Sequence, residues 1–122
     1  MRDNSDKSWE NFGQKEPYFG VWSDDKFKQE NLTEDKLSEF FKSGDQHVQN
    51  ILSSTKKYFG DDAFEQKSLL DFGCGVGRLI IPFSRKFKKV VGVDISSGMI
   101  EEAKKNIANQ NISNAHFTNK VS

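Results

Sequence analysis

A chain of 122 residues with 34% hydrophobic side chains supports one core, which excludes two large independent domains. Eighteen basic and eighteen acidic side chains cancel, so net charge points to neither nucleic acid nor a membrane surface. The single cysteine, Cys74, rules out an internal disulfide framework and fits a reducing cytoplasm.

The charge is mildly segregated. Residues 1–45 carry 7 basic and 11 acidic groups, and residues 46–122 carry 11 and 7, too small an asymmetry to name a partner. No apolar run approaches the ~18 residues a membrane span needs, and no signal-peptide pattern is visible.

Residues 1–8 are polar, and fraying is expected there. From Trp9 to Phe27 the character changes. Trp9, Phe12, Tyr18, Phe19, Val21, Trp22 and Phe27 crowd together, broken by Gly13, Pro17 and Gly20. So many large apolar groups do not stay in water. The spacing predicts a short helix around Trp9–Gln14 and an irregular wrap after it. Asn31 or Thr33 then caps a helix running to about Lys42, with Leu37, Phe40 and Phe41 facing inward.

Ser43-Gly44-Asp45-Gln46 has the form of a capping box, so a second helix is expected from Gly44 or Asp45 to Phe59, stopping at Gly60. Val48, Ile51, Leu52, Thr55, Tyr58 and Phe59 fall on one stripe of it. His47 sits beside that stripe, where a lone histidine is more often structural than catalytic. Residues 61–67 read as a polar connection anchored by Phe64.

Ser68–Phe72 is a short apolar run of a length that suits a buried strand. Gly73, Gly75 and Gly77 follow at alternate positions, and then a helix is expected from Val76 to Phe87, bent at Pro82. A strand, a glycine turn and a helix start make a nucleotide-binding arrangement: glycine admits positive φ and close ligand approach. A dinucleotide fingerprint places its third glycine at position 78, but Arg78 stands there. Arg85, Lys86, Lys88 and Lys89 gather at the predicted helix end. The helix dipole accounts for them, with a nucleic-acid patch as the competing reading.

Val90-Val91-Gly92-Val93-Asp94 is a second strand ending in a carboxylate, and Asp94 lies nineteen positions after Gly75. That offset suits an acid that accepts hydrogen bonds from ribose hydroxyls. Ser96 or Ser97 caps a helix from about Gly98 to Asn109, with Met99, Ile100, Ala103 and Ile107 inward. Ala115–Thr118 begins a third strand. Strands separated by helices imply a parallel sheet with right-handed crossovers.

Asp71-x-Gly73-x-Gly75-x-Gly77 followed by Asp94 resembles the class I S-adenosylmethionine-dependent methyltransferases. The resemblance covers residues 9–118 and matches only the N-terminal half of that family, whose sheet order is 3-2-1-4-5-7-6. It implies an α/β fold: a Rossmann-like parallel sheet with flanking helices, truncated after the third strand. Residues 1–60 are expected to form an aromatic, helical segment covering the cofactor site, and residues 61–122 the first half of the S-adenosylmethionine-binding domain.

The resemblance also implies roles. Gly73, Gly75 and Gly77, with the backbone of Cys74, wrap the methionine part of the cofactor, and Asp71 receives its amino group. Asp94 takes the ribose hydroxyls, while Ile95 and Met99 pack on the adenine. Arg78 either reaches the cofactor carboxylate or stands on the surface. Tyr18 and Trp22 either cover the core or form a lid over the cofactor. Asn119 is the one candidate to hold the adenine after the third strand. The implied activity is methyl transfer from S-adenosyl-L-methionine to an unknown or small-molecule acceptor, with no metal, no evident nucleic acid and no membrane partner. No catalytic base is identifiable. The alternative is a non-catalytic remnant that binds a partner or itself, because the first strand is an edge, apolar and free of gatekeeping charge.

Overall fold

Ser68–Phe72 (β1), Lys89–Val93 (β2) and Ala115–Thr118 (β3) form a parallel sheet in the order β1-β2-β3. The computed structural model describes residues 4–60 and 63–120; the expectations for residues 1–3, 61–62 and 121–122 lie outside the described residues. In register, Asp71 stands opposite Gly92, and Phe72 opposite Val93, which faces Thr118 in turn. The strands match the predicted spans to within one residue. Burial alternates along β1, with Ser68, Leu70 and Phe72 exposed and Leu69 and Asp71 half-buried.

The N-terminal segment is more regular than its sequence suggests. Asn4–Lys15 (α1) and Pro17–Val21 (α2) are helices, and 3-10 turns follow at Asp25–Phe27 and Gln29–Asn31. Proline at the first position of α2 loses nothing, since the opening N–H groups of a helix have no partner within it. Phe27 and Phe40 are fully buried, with Tyr18, Val76 and Met99 around them. At about 1.5–3 kcal/mol for each large side chain removed from water, this cluster fastens the segment to Phe40, Val76 and Met99.

The two helices expected on either side of Ser43 are one helix, Glu34–Phe59 (α3), capped by the Thr33 hydroxyl and ended by Gly60 at φ 70°. Gly44 is not a break but a point of contact. A Cβ placed there would lie 2.2 Å from the Arg78 carbonyl oxygen, so glycine lets α3 lie against the backbone after the glycine turn. Phe40 of α3 enters the aromatic cluster and Val48 enters a second core with Cys74, Ile80, Phe83 and Val90. One helix thus spans both cores. The predicted stripe fails at its end, where Tyr58 and Phe59 are 72% and 80% exposed.

The helix expected over Val76–Phe87 shrinks to Ile80–Ser84 (α4). Gly75 and Gly77 have φ of 55° and 91°, which no right-handed helix contains, so turns run on to Leu79. Pro82 becomes the third residue of α4, where its missing N–H costs nothing, and no bend is needed. Ser97–Asn109 (α5) is capped by the Ser96 hydroxyl and buries Met99, Ile100 and Ala103 as expected.

Candidate cofactor site

At the C-terminal ends of β1 and β2, backbone and side chains enclose a cavity of about 440 Å³, bordered by Phe72, Gly73, Gly75, Val93 and Asp94. Each of Gly73, Gly75 and Gly77 has positive φ, so a turn that L side chains rarely adopt is built from the three residues that admit it. The N–H groups of Gly73 and Cys74 both donate to the Val93 carbonyl, at 2.7 and 3.1 Å, tying the turn to the end of β2.

Asp94 completes that tie. One carboxylate oxygen accepts from the Gly75 N–H at 2.9 Å and the other from the Ser96 N–H, also at 2.9 Å. The acid therefore fixes the glycine turn and the start of α5 together, a duty that spacing alone does not show. Asp71 lies near enough for the Asp94 charge to act on it. Burial, and then that charge, push the Asp71 carboxyl above the ordinary carboxylate range. Among the described residues no Lys or Arg pairs with either acid. The Cys74 thiol is buried and pushed up to about 12, by burial first and by the two carboxylates second, so it stays protonated.

The remaining wall comes from Ile95 and Met99, and from the N-terminal segment through Trp9, Gly20 and Val21. Of the two roles open to Tyr18 and Trp22, the structure shows the core one. Tyr18 is core: its ring packs edge-on against Phe40 and its hydroxyl donates to Glu102 at 3.0 Å. Trp22 lies against Phe27, ring centres 4.7 Å apart, and neither residue borders the cavity. Val21 does, because a Cβ on Gly75 would come within 2.7 Å of its methyl group. Nothing in the local pattern distinguishes Val21 from its aromatic neighbours, since the partners of Tyr18 lie on α5, 84 and 88 positions away.

Arg78 is also elsewhere. It precedes α4 instead of heading a helix, and its Nε donates to the Ser43 hydroxyl at 2.9 Å, with His47 Nδ1 3.5 Å from Nη1. Its guanidinium thus ties the turn to α3, and Arg78 does not border the cavity. Asn119 is exposed and does not border the cavity. One further residue carries no signal in the local sequence. The Glu10 carboxylate accepts from the Ser97 N–H, the Ser97 hydroxyl and the Gly98 N–H, at 3.0, 2.8 and 3.2 Å. It satisfies the open N–H groups of α5 and anchors α1 beside the cavity.

A parallel sheet with a glycine turn after β1 and an acid after β2 defines a Rossmann-like α/β arrangement. The comparisons narrow it: residues 69–121 match the family model described as a methyltransferase domain. The chain is 47% identical over 49 residues to a U6 snRNA methylphosphate capping enzyme of Drosophila melanogaster. It is 31% identical over 81 residues to an uncharacterized RNA methyltransferase of Clostridium acetobutylicum. Those matches cover 38% and 66% of this chain but 16% and 17% of the relatives' own lengths. A phosphoethanolamine N-methyltransferase of Haemonchus contortus superposes on 97% of this chain and 21% of its own, with a TM-score of 0.63 at 14% identity, a likeness of fold. Residues 69–121 are thus similar to a methyltransferase domain, and the chain spans about one sixth of the length of these curated relatives.

Proposed function

We propose that this chain binds S-adenosyl-L-methionine at the ends of β1 and β2 and serves methyl transfer to RNA. The observation that carries the first part is Asp94, held at the mouth of a glycine turn with both oxygens on backbone N–H groups. The cavity fits the cofactor in shape and charge. Gly75 leaves no room for a Cβ, and Ile95 and Met99 offer an apolar wall. Asp94 in the lining, with the Asp71 charge near it although Asp71, Cys74 and Gly77 do not border the cavity, leaves a negative excess that a cationic ligand relieves.

In this reading the backbone of Gly73, Cys74, Gly75 and Gly77 wraps the methionine moiety, and Asp71 accepts from its amino group. Asp94 takes the ribose hydroxyls and Ile95 and Met99 flank the adenine. Trp9 and Val21, in place of Tyr18 and Trp22, close the cavity from the N-terminal side. Bound there, the cofactor supplies an electrophilic methyl group on sulfur, and the residues contribute mainly position and the exclusion of water. RNA as acceptor is supported by the names of the two relatives. The division at residue 60 and a cytoplasmic location belong to the same proposal, the latter because a lone buried thiol suits a reducing compartment. Among the described residues no helix is long and apolar enough to cross a membrane.

Titration calorimetry tests the cofactor. S-adenosylhomocysteine is expected to bind and NAD is not. Asp94→Ala should weaken binding by about 1.5–3 kcal/mol, the range for hydrogen bonds to a charged group. Heat from NAD with none from S-adenosylhomocysteine overturns the reading.

The second reading, a self-associating module, has one observation behind it. Leu70 and Phe72 of the β1 edge are 53% and 64% exposed, an apolar strand with an open ladder. Light scattering on the purified chain is expected to report a mass above that of the 13.9 kDa monomer as concentration rises. A monomer at all concentrations sinks it.

A further inference from the structure

The helix dipole offered to explain Arg85, Lys86, Lys88 and Lys89 does not survive the structure. The helix α4 ends at Ser84 and holds no basic residue in its last turn. The carbonyls of Ser84, Phe87 and Lys88 are taken instead by the Asn114 side-chain amide, at 2.9, 3.1 and 3.3 Å. The four cations are exposed and need another reason to stand together.

The fold adds further cations to them. The Lys88 N–H donates to the Lys67 carbonyl at 2.9 Å, and Lys89 pairs with Ser68 across the sheet, which sets Lys67 beside the cluster. Arg85 and Lys86 share a groove of about 610 Å³ with Lys56 of α3 and with the acids Asp45 and Glu65, so the free charge lies on the rim side, at Lys86, Lys88 and Lys89. Arg85 meets Asp45 at 3.6 Å, whereas Lys86, Lys88 and Lys89 form no ion pair among the described residues. Clustered cations without acidic partners are the elements by which proteins meet the phosphates of nucleic acid.

We propose that this rim is the docking surface for the phosphate backbone of single-stranded RNA, a proposal that rests on RNA as the acceptor. Lys67, Lys88 and Lys89 sit at the starts of β1 and β2, and the cofactor cavity at their ends. A five-residue strand spans roughly 17 Å, about five nucleotides of stacked strand, so the rim holds the chain while a nucleotide downstream reaches the cavity.

Fluorescence anisotropy with a labelled 20-nucleotide RNA, cofactor omitted, tests this on the 122-residue chain at several salt concentrations. Lys86→Gln, Lys88→Gln and Lys89→Gln together are expected to weaken binding at least tenfold and to flatten the salt slope by about 0.7 for each phosphate no longer neutralised. A control with Lys15→Gln, Lys104→Gln and Lys120→Gln, equal in charge change, should bind within twofold of wild type. Wild-type binding that the rim variant leaves intact sinks the docking surface and spares RNA as acceptor. No wild-type binding at low salt overturns it as well, as does capture by vesicles containing phosphatidylserine in place of RNA. S-adenosylhomocysteine calorimetry on the same variants reports separately on the cofactor site and should be unchanged.

Discussion

Asp94 and Asp71 divide the electrostatic work at the glycine turn unequally. A carboxylate has about four lone-pair directions, and Asp94 spends two on Gly75 and Ser96, leaving two for a ligand's hydroxyls. Asp71 is charged at a cost, because burial and the Asp94 charge both oppose its ionisation. A group whose folded-state pKa is raised binds more protons folded than unfolded. The folded state therefore loses stability as pH rises from the ordinary carboxylate range through the raised value. Asp71→Asn removes that loss. The variant should melt higher than wild type at pH 7, with the difference shrinking towards zero as pH falls below the ordinary carboxylate range. Binding of S-adenosylhomocysteine should weaken in the same variant, by about 1.5–3 kcal/mol. Thermal melts across pH together with calorimetry check both halves; a lower melting temperature at pH 7 contradicts the charge argument.

Among the elements, α3 gives the sharpest test, because helix propensity and packing oppose each other at Gly44. Alanine there gains about 1 kcal/mol in propensity over glycine. Its Cβ would also sit 2.2 Å from the Arg78 carbonyl, and overpacking of that kind costs about 1–3 kcal/mol or more. The backbone oxygen belongs to a turn pinned by Ser43 and Asp94 and has little room to move. Gly44→Ala should therefore destabilise the fold in urea unfolding, and a gain in stability would mean that α3 does not touch the turn. The same contact explains what was legible in the sequence. The strands, the glycine positions, Asp94 and α5 follow from local pattern, since period, turn chemistry and caps are local properties. The unity of α3 does not, because a glycine read locally is a break and only its partner 34 positions on makes it a fit. Pro82 misleads in the same way: its place in α4 depends on where two positive-φ glycines let the helix begin.

At the scale of the whole molecule, the site is assembled from two stretches far apart in the chain. The glycine turn, Asp94 and Met99 come from one continuous stretch, and the motif spacing finds them. Trp9, Gly20 and Val21 come from the far N-terminus, placed by long-range contacts that no local rule encodes. That division has a consequence in the order of assembly. Glu10 holds residues 87 and 88 positions downstream, and Tyr18 reaches Glu102 and Asn106. During synthesis neither anchor has a partner until α5 has left the ribosome, while β1, the glycine turn and the β1-facing side of β2 find theirs in one another. Loop closure over that separation comes after the local contacts and adds its own entropy cost. The N-terminal wall is then the last part of the cavity to form and the first to come away in partial unfolding. Native-state hydrogen exchange should find the α1 amides less protected than those of α5 or β2; equal protection would mean that chain ends and centre close as one.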